Sequence, residues 1–203
     1  VTSTRADFGK LKSLITATKS KNSYKVYIVV TGMHMLREYG FTSSEVTKSF
    51  KSNIIKFNNQ DTGDKLEIIL NKTVEKFSKI IKKINPDLII VHGDRVEAMA
   101  CALVGSLNHI LTGHVEGGEV SGTIDESFRH AISKLSHFHL TSTKDASNRL
   151  KKMGEMPETI FTVGAPGLAS VNKNYELQNN YFSKNYGIAE NIYRVVCAFH
   201  PVF

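Results

Sequence analysis

Short apolar runs alternate with amphipathic stretches along most of this 203-residue chain. Tyr24 to Thr31 (YKVYIVVT) is β-branched and aromatic, as a central strand requires, and it ends at Gly32. Asn53 to Phe57 reads as a second, shorter strand after a polar loop. Leu66, Ile69, Leu70, Val74, Phe77, Ile80, Ile81 and Ile84 recur at three- and four-residue steps. They mark a long amphipathic helix that Pro86 prevents from continuing into the apolar strand Asp87 to His92. The alternation then repeats: helix Val96 to Asn108, strand Ile110 to Val115, helix Ser127 to Leu135, strand Phe138 to Ser142, helix Lys144 to Met153 closed by Gly154, strand Thr159 to Val163. Strand following helix throughout predicts an α/β fold with a doubly wound parallel sheet.

The ends of the chain depart from this rhythm. The opening VTSTRADFGKLKSLI reads as the tail of a strand breaking into a helix with Phe8, Leu11, Leu14 and Ile15 on its apolar face. With no initiator Met and little of the strand expected ahead of that helix, the chain reads as clipped at its amino end. Residues 172–193 turn to Asn, Tyr, Lys and Ser and read as a linker around a short helix; Arg194 to Phe199 is a fresh strand running into His200 and Pro201. The expected organisation is a Rossmann-like domain over 1–171, a linker over 172–193 and the first strand of a second domain over 194–203.

Composition narrows the class. No run approaches the roughly 18 apolar residues of a membrane span, and no signal peptide is visible. Cys101 and Cys197 lack metal-ligand spacing and are expected to be buried structural thiols of a reduced, cytoplasmic protein. The net charge of +7 raises affinity for polyanions, but the lysines are scattered along helix faces without interleaved aromatic residues. A nucleic-acid partner is therefore not expected, whereas a small anionic substrate such as a nucleotide diphosphate suits the positive field.

Candidate chemistry concentrates between Leu88 and Arg129. Asp94 and Glu116 each follow an apolar strand, so in a parallel sheet both carboxylates reach the carboxyl-end crevice where ligands of open α/β folds bind. Asp125 and Glu126 follow, with Arg129 four residues beyond Asp125 on the same helical face. That spacing fits a surface ion pair at a helix start as well as it fits a cleft acid oriented by an arginine. Glycines at 93, 113, 117, 118, 122 and 164 form neither a dinucleotide fingerprint nor a P-loop. The histidines at 92, 114, 130, 137, 139 and 200 have no spacing that supplies three ligands, so no metal is expected. Spacing alone leads to a nucleotide- or sugar-phosphate-handling α/β domain with a cluster of carboxylates.

Several separated motifs, in order, carry a resemblance. VHGDRxEA, HVEGGEVSGTIDESxRHAISKLSHxHL, the opening TRADFGKL and the closing HPV closely resemble the hydrolysing UDP-N-acetylglucosamine 2-epimerases of sialic-acid biosynthesis. The resemblance implies the amino-terminal half of a two-domain glycosyltransferase-B-type fold. It also implies conversion of UDP-N-acetylglucosamine and water to N-acetylmannosamine and UDP without metal or cofactor, and self-association as a homodimer or homotetramer. It places Asp94, Glu116, Asp125, Glu126 and Arg129 at the sugar and His200 at the domain junction near the diphosphate. Arg5, Gly9, His34, Arg95 and Gly118 match substrate-binding positions. Ser3 stands where many relatives carry glycine, and the half that supplies most uridine contacts is absent, so the chain by itself is expected to be inactive. Two rival expectations are a sister epimerase acting on a modified or GDP-linked hexosamine and a non-catalytic fragment that binds sugar nucleotide.

Overall fold

The computed structural model describes residues 1–170, 181–187 and 197, which fall in two compact units, Val1–Ser170 and Val171–Phe203. In the first unit, α1 (Arg5–Lys19) opens on a capping box: Thr4 Oγ1 accepts from Asp7 N at 3.2 Å while Asp7 Oδ2 accepts from Thr4 N at 3.0 Å. Phe8 and Leu11 are its buried apolar residues. The strands β1 (Ile28–Val30) and β2 (Ile54–Lys56) pair in parallel, Ile28 opposite Ile54. Between them lies α2 (Ser43–Ser49), followed after β2 by α3 (Leu66–Ile84). Then come β3 (Leu88–His92), α4 (Val96–Leu107), β4 (Leu111–Val115), α5 (Ile124–Lys134), β5 (Phe138–Thr141), α6 (Lys144–Lys152) and β6 (Ile160–Thr162).

The four later strands form one parallel sheet in the order β3-β4-β5-β6, with Ile90 opposite Gly113 and His114 opposite His139. The first residues join the two ladders. Thr2 pairs in parallel with Val30, its N–H donating to Val29 O at 2.9 Å, and the Val1 nitrogen donates to Ile90 O at 2.9 Å. From that segment β1 and β2 extend to one side and β3 to β6 to the other, so the winding reverses there. Alternate residues of a strand point to opposite faces. Accordingly Ile28 and Val30 pack with Phe8, Val46 and Phe50, whereas Val29 packs with Phe77, Ile81, Ile89, Val91 and Cys101. Helices thus cover both faces, as in the expected doubly wound sheet.

Several boundaries differ from the sequence expectation, each for a local reason. The strand expected over Tyr24 to Thr31 is three residues long, because β2 pairs with it only from Ile28 to Val30, and Tyr24 is exposed. The segment expected as a polar loop contains α2, whose one buried apolar residue, Val46, is too little to show a period. α5 starts at Ile124 rather than Ser127, so Asp125 and Glu126 occupy its first turn. α3 has the expected bounds and ends at Asn85, held in the left-handed region at φ 44°, just ahead of Pro86.

In the second unit α7 (Tyr181–Tyr186) lies within the expected linker, while the expected strand 194–199 and His200 lie outside the described residues apart from Cys197. Cys197 is exposed, contrary to expectation, whereas Cys101 is fully buried and burial pushes its thiol up to about 12. Among the described residues no helix is long and apolar enough to cross a membrane.

Candidate active site

The crevice at the reversal point is framed by the start of α1 and the turns that follow β3 and β4, which is where open α/β sheets bind ligands. The turn after β3, His92-Gly93-Asp94-Arg95, is anchored from the sheet side. Gly93, at φ 72°, donates its N–H to Val115 O at 3.0 Å, and its carbonyl accepts from His114 Nε2 at 2.7 Å. His114 Nδ1 lies 3.0 Å from Ser133 Oγ on α5. This ring is fully buried, and burial drives its pKa down to about 3, so it is a neutral support for the turn.

The turn presents Asp94, whose carboxylate pairs with the Arg129 guanidinium of α5. Arg129 also donates from Nη1 to Glu119 O at 3.0 Å, so a single side chain ties the turn after β3 to the segment ahead of α5. Arg129 therefore pairs with Asp94, not with Asp125 four residues before it. Asp125 has Thr123 Oγ1 3.4 Å away and adds its charge to the field at Arg95. Glu126 accepts from Ser121 N and Gly122 N at 2.8 Å each; those two N–H groups hold its carboxyl below the usual range. It closes the turn into α5.

Glu116, directly after β4, sits in the left-handed region at φ 61°. Its Oε2 accepts from Lys10 Nζ of α1 at 2.6 Å and from His92 Nε2 at 2.9 Å. On the other side of the ring, His92 Nδ1 is 3.4 Å from Asp7 Oδ1, an ion-pair separation without hydrogen-bond alignment. Asp7 Oδ2 accepts from Ser3 N at 3.1 Å, Ser3 Oγ at 2.6 Å and Thr4 N at 3.0 Å. Ser3 thus uses its hydroxyl to fix this acid. Burial opposes ionisation of Asp7 and Glu116, but the partners outweigh it and hold both carboxyls down at about 2. For His92 burial works downward, and the two flanking carboxylates more than reverse it, raising the pKa above its usual value.

Arg95 donates from Nε and Nη2 to Glu97 at 3.0 and 3.2 Å, a side-on fork to a fully buried carboxylate. Arg5 and Gly9 are exposed along α1, and the space beside Gly9 is open. Gly118 is at φ 82°, and a Cβ there would lie 2.5 Å from Ala146 O, so its place is fixed by packing against α6. His34 is not brought to the crevice surface: it is fully buried, with Nε2 3.0 Å from Thr2 Oγ1 and Nδ1 2.7 Å from Thr42 Oγ1. Asp94, Glu116, Arg129 and Arg95 are gathered at the carboxyl ends of β3 and β4. Asp7, Lys10 and His92 join them and were not expected from the sequence. Asp7 is hidden behind its helix-capping role, and only the pairing of Val1–Thr2 alongside β3 reveals that the TRAD and HGD turns are neighbours. Among the described residues no group of three His, Cys, Asp or Glu side chains is placed to hold a metal ion.

This arrangement can be set beside known proteins. Residues 16–203 match the family described as UDP-N-acetylglucosamine 2-epimerase. The chain belongs to that family. A UDP-N-acetylglucosamine 2-epimerase of Neisseria meningitidis is 41% identical over the whole of this chain and 53% of its own length. A hydrolyzing UDP-N,N'-diacetylbacillosamine 2-epimerase of Legionella pneumophila is 35% identical over the whole chain and 54% of its own length. The chain therefore spans about half the length of these relatives. The fold matches a UDP-N-acetylglucosamine 2-epimerase from Methanocaldococcus jannaschii, solved with UDP-N-acetylglucosamine and UDP, at a TM-score of 0.71 and 26% identity, over 80% of this chain and 45% of that one. The α/β sheet of this chain is accordingly half of a glycosyltransferase-B-type epimerase fold.

Proposed function

We propose that this chain is the sugar-handling half of a hydrolysing UDP-N-acetylglucosamine 2-epimerase that yields N-acetylmannosamine and UDP for sialic-acid biosynthesis. The observation that carries this is the pair of carboxylates set at the reversal point in unlike surroundings, Asp94 against Arg129 and Glu116 against His92 and Lys10. The hexosamine C2–H is not next to a carbonyl and is weakly acidic, so its removal needs a positioned base and a stabilised leaving group. In the elimination step a carboxylate takes the C2 proton, the C1–O bond breaks and UDP leaves with the electron pair, giving a glycal. In the hydration step water supplies hydroxide to C1 and a proton reaches C2 on the opposite face, inverting that centre. Asp94, Glu116, Asp125 and Glu126 share these proton transfers, with Arg129 orienting Asp94. Arg5, Gly9 and Arg95 face the diphosphate, Gly118 keeps the turn after β4 in place at the substrate, His34 acts only from behind the crevice through Thr2 and Thr42, and His200 assists departure of UDP from the domain junction. The proposal includes a Rossmann-like domain over 1–171, a linker over 172–193, a second domain from 194, self-association and a cytoplasmic setting.

The test is incubation of the full-length protein with UDP-N-acetylglucosamine, followed by NMR. Free N-acetylmannosamine with one UDP per sugar is expected; UDP-N-acetylmannosamine without free UDP would overturn the hydrolytic reading. The likeness to the Legionella enzyme favours one second reading, a modified hexosamine as substrate. Turnover of UDP-N,N'-diacetylbacillosamine alone would select it, and inertness toward both sugars would remove both.

A further inference from the structure

Three side chains from distant parts of the chain stand in a row at the crevice: Asp7 of α1, His92 at the end of β3 and Glu116 after β4. The His92 ring is 7% exposed, with a carboxylate oxygen 3.4 Å from Nδ1 and another 2.9 Å from Nε2. A neutral imidazole has one N–H and one lone pair, so it would turn the lone pair toward one of these two anions. Only the ring protonated on both nitrogens carries a charge that suits both carboxylates, donating to Glu116 from Nε2 and standing at ion-pair distance from Asp7 at Nδ1. Asp7 is itself immobilised, since Oδ2 takes three hydrogen bonds from Ser3 and Thr4 and leaves Oδ1 for the ring.

The surrounding charges point the same way. α1 contributes Asp7 and Lys10, the turn after β4 contributes Glu116, and α4 with the turn before it contributes Glu97 and Arg95. Arg95 and Glu97 pair with each other and Lys10 pairs with Glu116, so the groups that act on the ring itself are the two carboxylates, Asp7 and Glu116, and both favour its protonated form. The other buried rings nearby, His34 and His114, are held by burial below their usual pKa and do not compete for the charge.

We propose that Asp7 is a positioning residue for Glu116: it holds His92 as a doubly protonated bridge, and that cation fixes the Glu116 carboxylate at the crevice. The proposal rests on the reading above that gives Glu116 a part in the reaction. A ring that already carries both protons has no lone pair to accept another. Proton exchange with the sugar or with water then belongs to Glu116 and its neighbouring carboxylates, and His92 supplies charge and orientation. The left-handed backbone of Glu116 is consistent with this assignment, because such a sparsely populated conformation persists only where the surroundings hold the residue, and Lys10 and His92 both hold its carboxylate.

The test uses the full-length protein labelled with 15N-histidine and a pH titration of the ring nitrogens, with His92 assigned by its loss in His92→Asn. In the native protein both His92 nitrogens should be protonated at about pH 7, above the ordinary midpoint of an imidazole. In Asp7→Asn the midpoint should fall by about one unit or more, as loss of an opposite charge at this range produces, while the His114 signals, on which Asp7 does not act, stay in place. A native ring that is neutral at about pH 7, or a midpoint unmoved by Asp7→Asn, overturns the proposal. Should Asp7→Asn lose the capping box and fail to fold, the native titration still decides, and Glu116→Gln should lower the same midpoint from the other side. The readout is made without substrate, so an inactive protein with the expected titration would count against the epimerase reading alone.

Discussion

At the scale of single residues, the site is built from pairs in which each partner restrains the other. The Asp94 carboxylate and the Arg129 guanidinium are both largely shielded, with side-chain exposures of 26% and 12%. Asp94→Asn keeps the volume and the hydrogen-bonding reach but removes the charge. If Asp94 exchanges protons with the sugar, kcat in the full-length protein should fall by on the order of a hundredfold or more, with folding intact by circular dichroism. Unchanged turnover would take Asp94 out of the mechanism. Gly118 shows a different restraint, one of space. At φ 82° an L side chain is strained, and the added Cβ would meet the Ala146 carbonyl, which belongs to the backbone of α6 and cannot swing aside. Gly118→Ala should therefore lower stability by about 2 kcal/mol or more, read as a lower urea midpoint at unchanged slope. A midpoint equal to that of the native chain would mean the turn relaxes freely and has no bearing on the position of Glu116.

At the scale of elements, what could be read in advance depended on how many residues report the same thing. α3 has 19 residues with an unbroken apolar stripe and a stop at Asn85-Pro86, so many positions agree and its limits are legible. α2 has seven residues and a single buried apolar side chain other than small ones, so no period exists to be read. β1 is short because a strand extends only as far as its neighbours pair with it, and neighbours are a property of topology. The site divides in the same way. Asp94 and Glu116 were legible because each follows a strand in the chain itself. Lys10 and Glu116 are 106 residues apart and His92 and Glu116 are 24 apart, so their meeting follows only from the order of strands in the sheet. Helix starts offer a test at this scale. Thr143 caps α6, with Oγ1 accepting from Ala146 N at 3.0 Å, and it also donates to Glu119 Oε1 at 3.2 Å. Thr143→Ala should cost about 1 kcal/mol in urea unfolding. A loss within error of zero would show that the α6 start is held by its packing on β5 and β6 rather than by its cap.

At the scale of the whole molecule, the buried titratable groups set a pH window for stability, and their signs differ. His114 has a folded pKa of about 3 against an ordinary 6.5, so between those values only the unfolded chain binds its proton. Its contribution is complete above 6.5 and is lost as the pH falls, by up to about 1.4 kcal/mol per pH unit. His34 and His139 are shifted downward by burial and act with the same sign. Asp7 and Glu116, held at about 2 against ordinary values of 3.8 and 4.5, stabilise above those ordinary values and lose that contribution as the pH falls toward 2. His92 is raised, so its contribution is complete below 6.5 and is lost on the alkaline side as the pH passes its folded value. The net charge of +7 grows in acid and adds repulsion in the same direction as the buried imidazoles. The urea midpoint should therefore be highest near neutrality, decline below about pH 6.5 and decline more steeply below about pH 4.5, where the carboxylates join. His114→Gln separates the imidazole part from the rest. Its amide can still donate to Gly93 O, yet it takes up no proton, so the variant should lose roughly one proton's worth of slope between about pH 6.5 and 4.5. A slope there identical to that of the native protein would mean that His114 does not stay neutral beneath the Asp94 turn, and the account of how that turn is supported would fall with it.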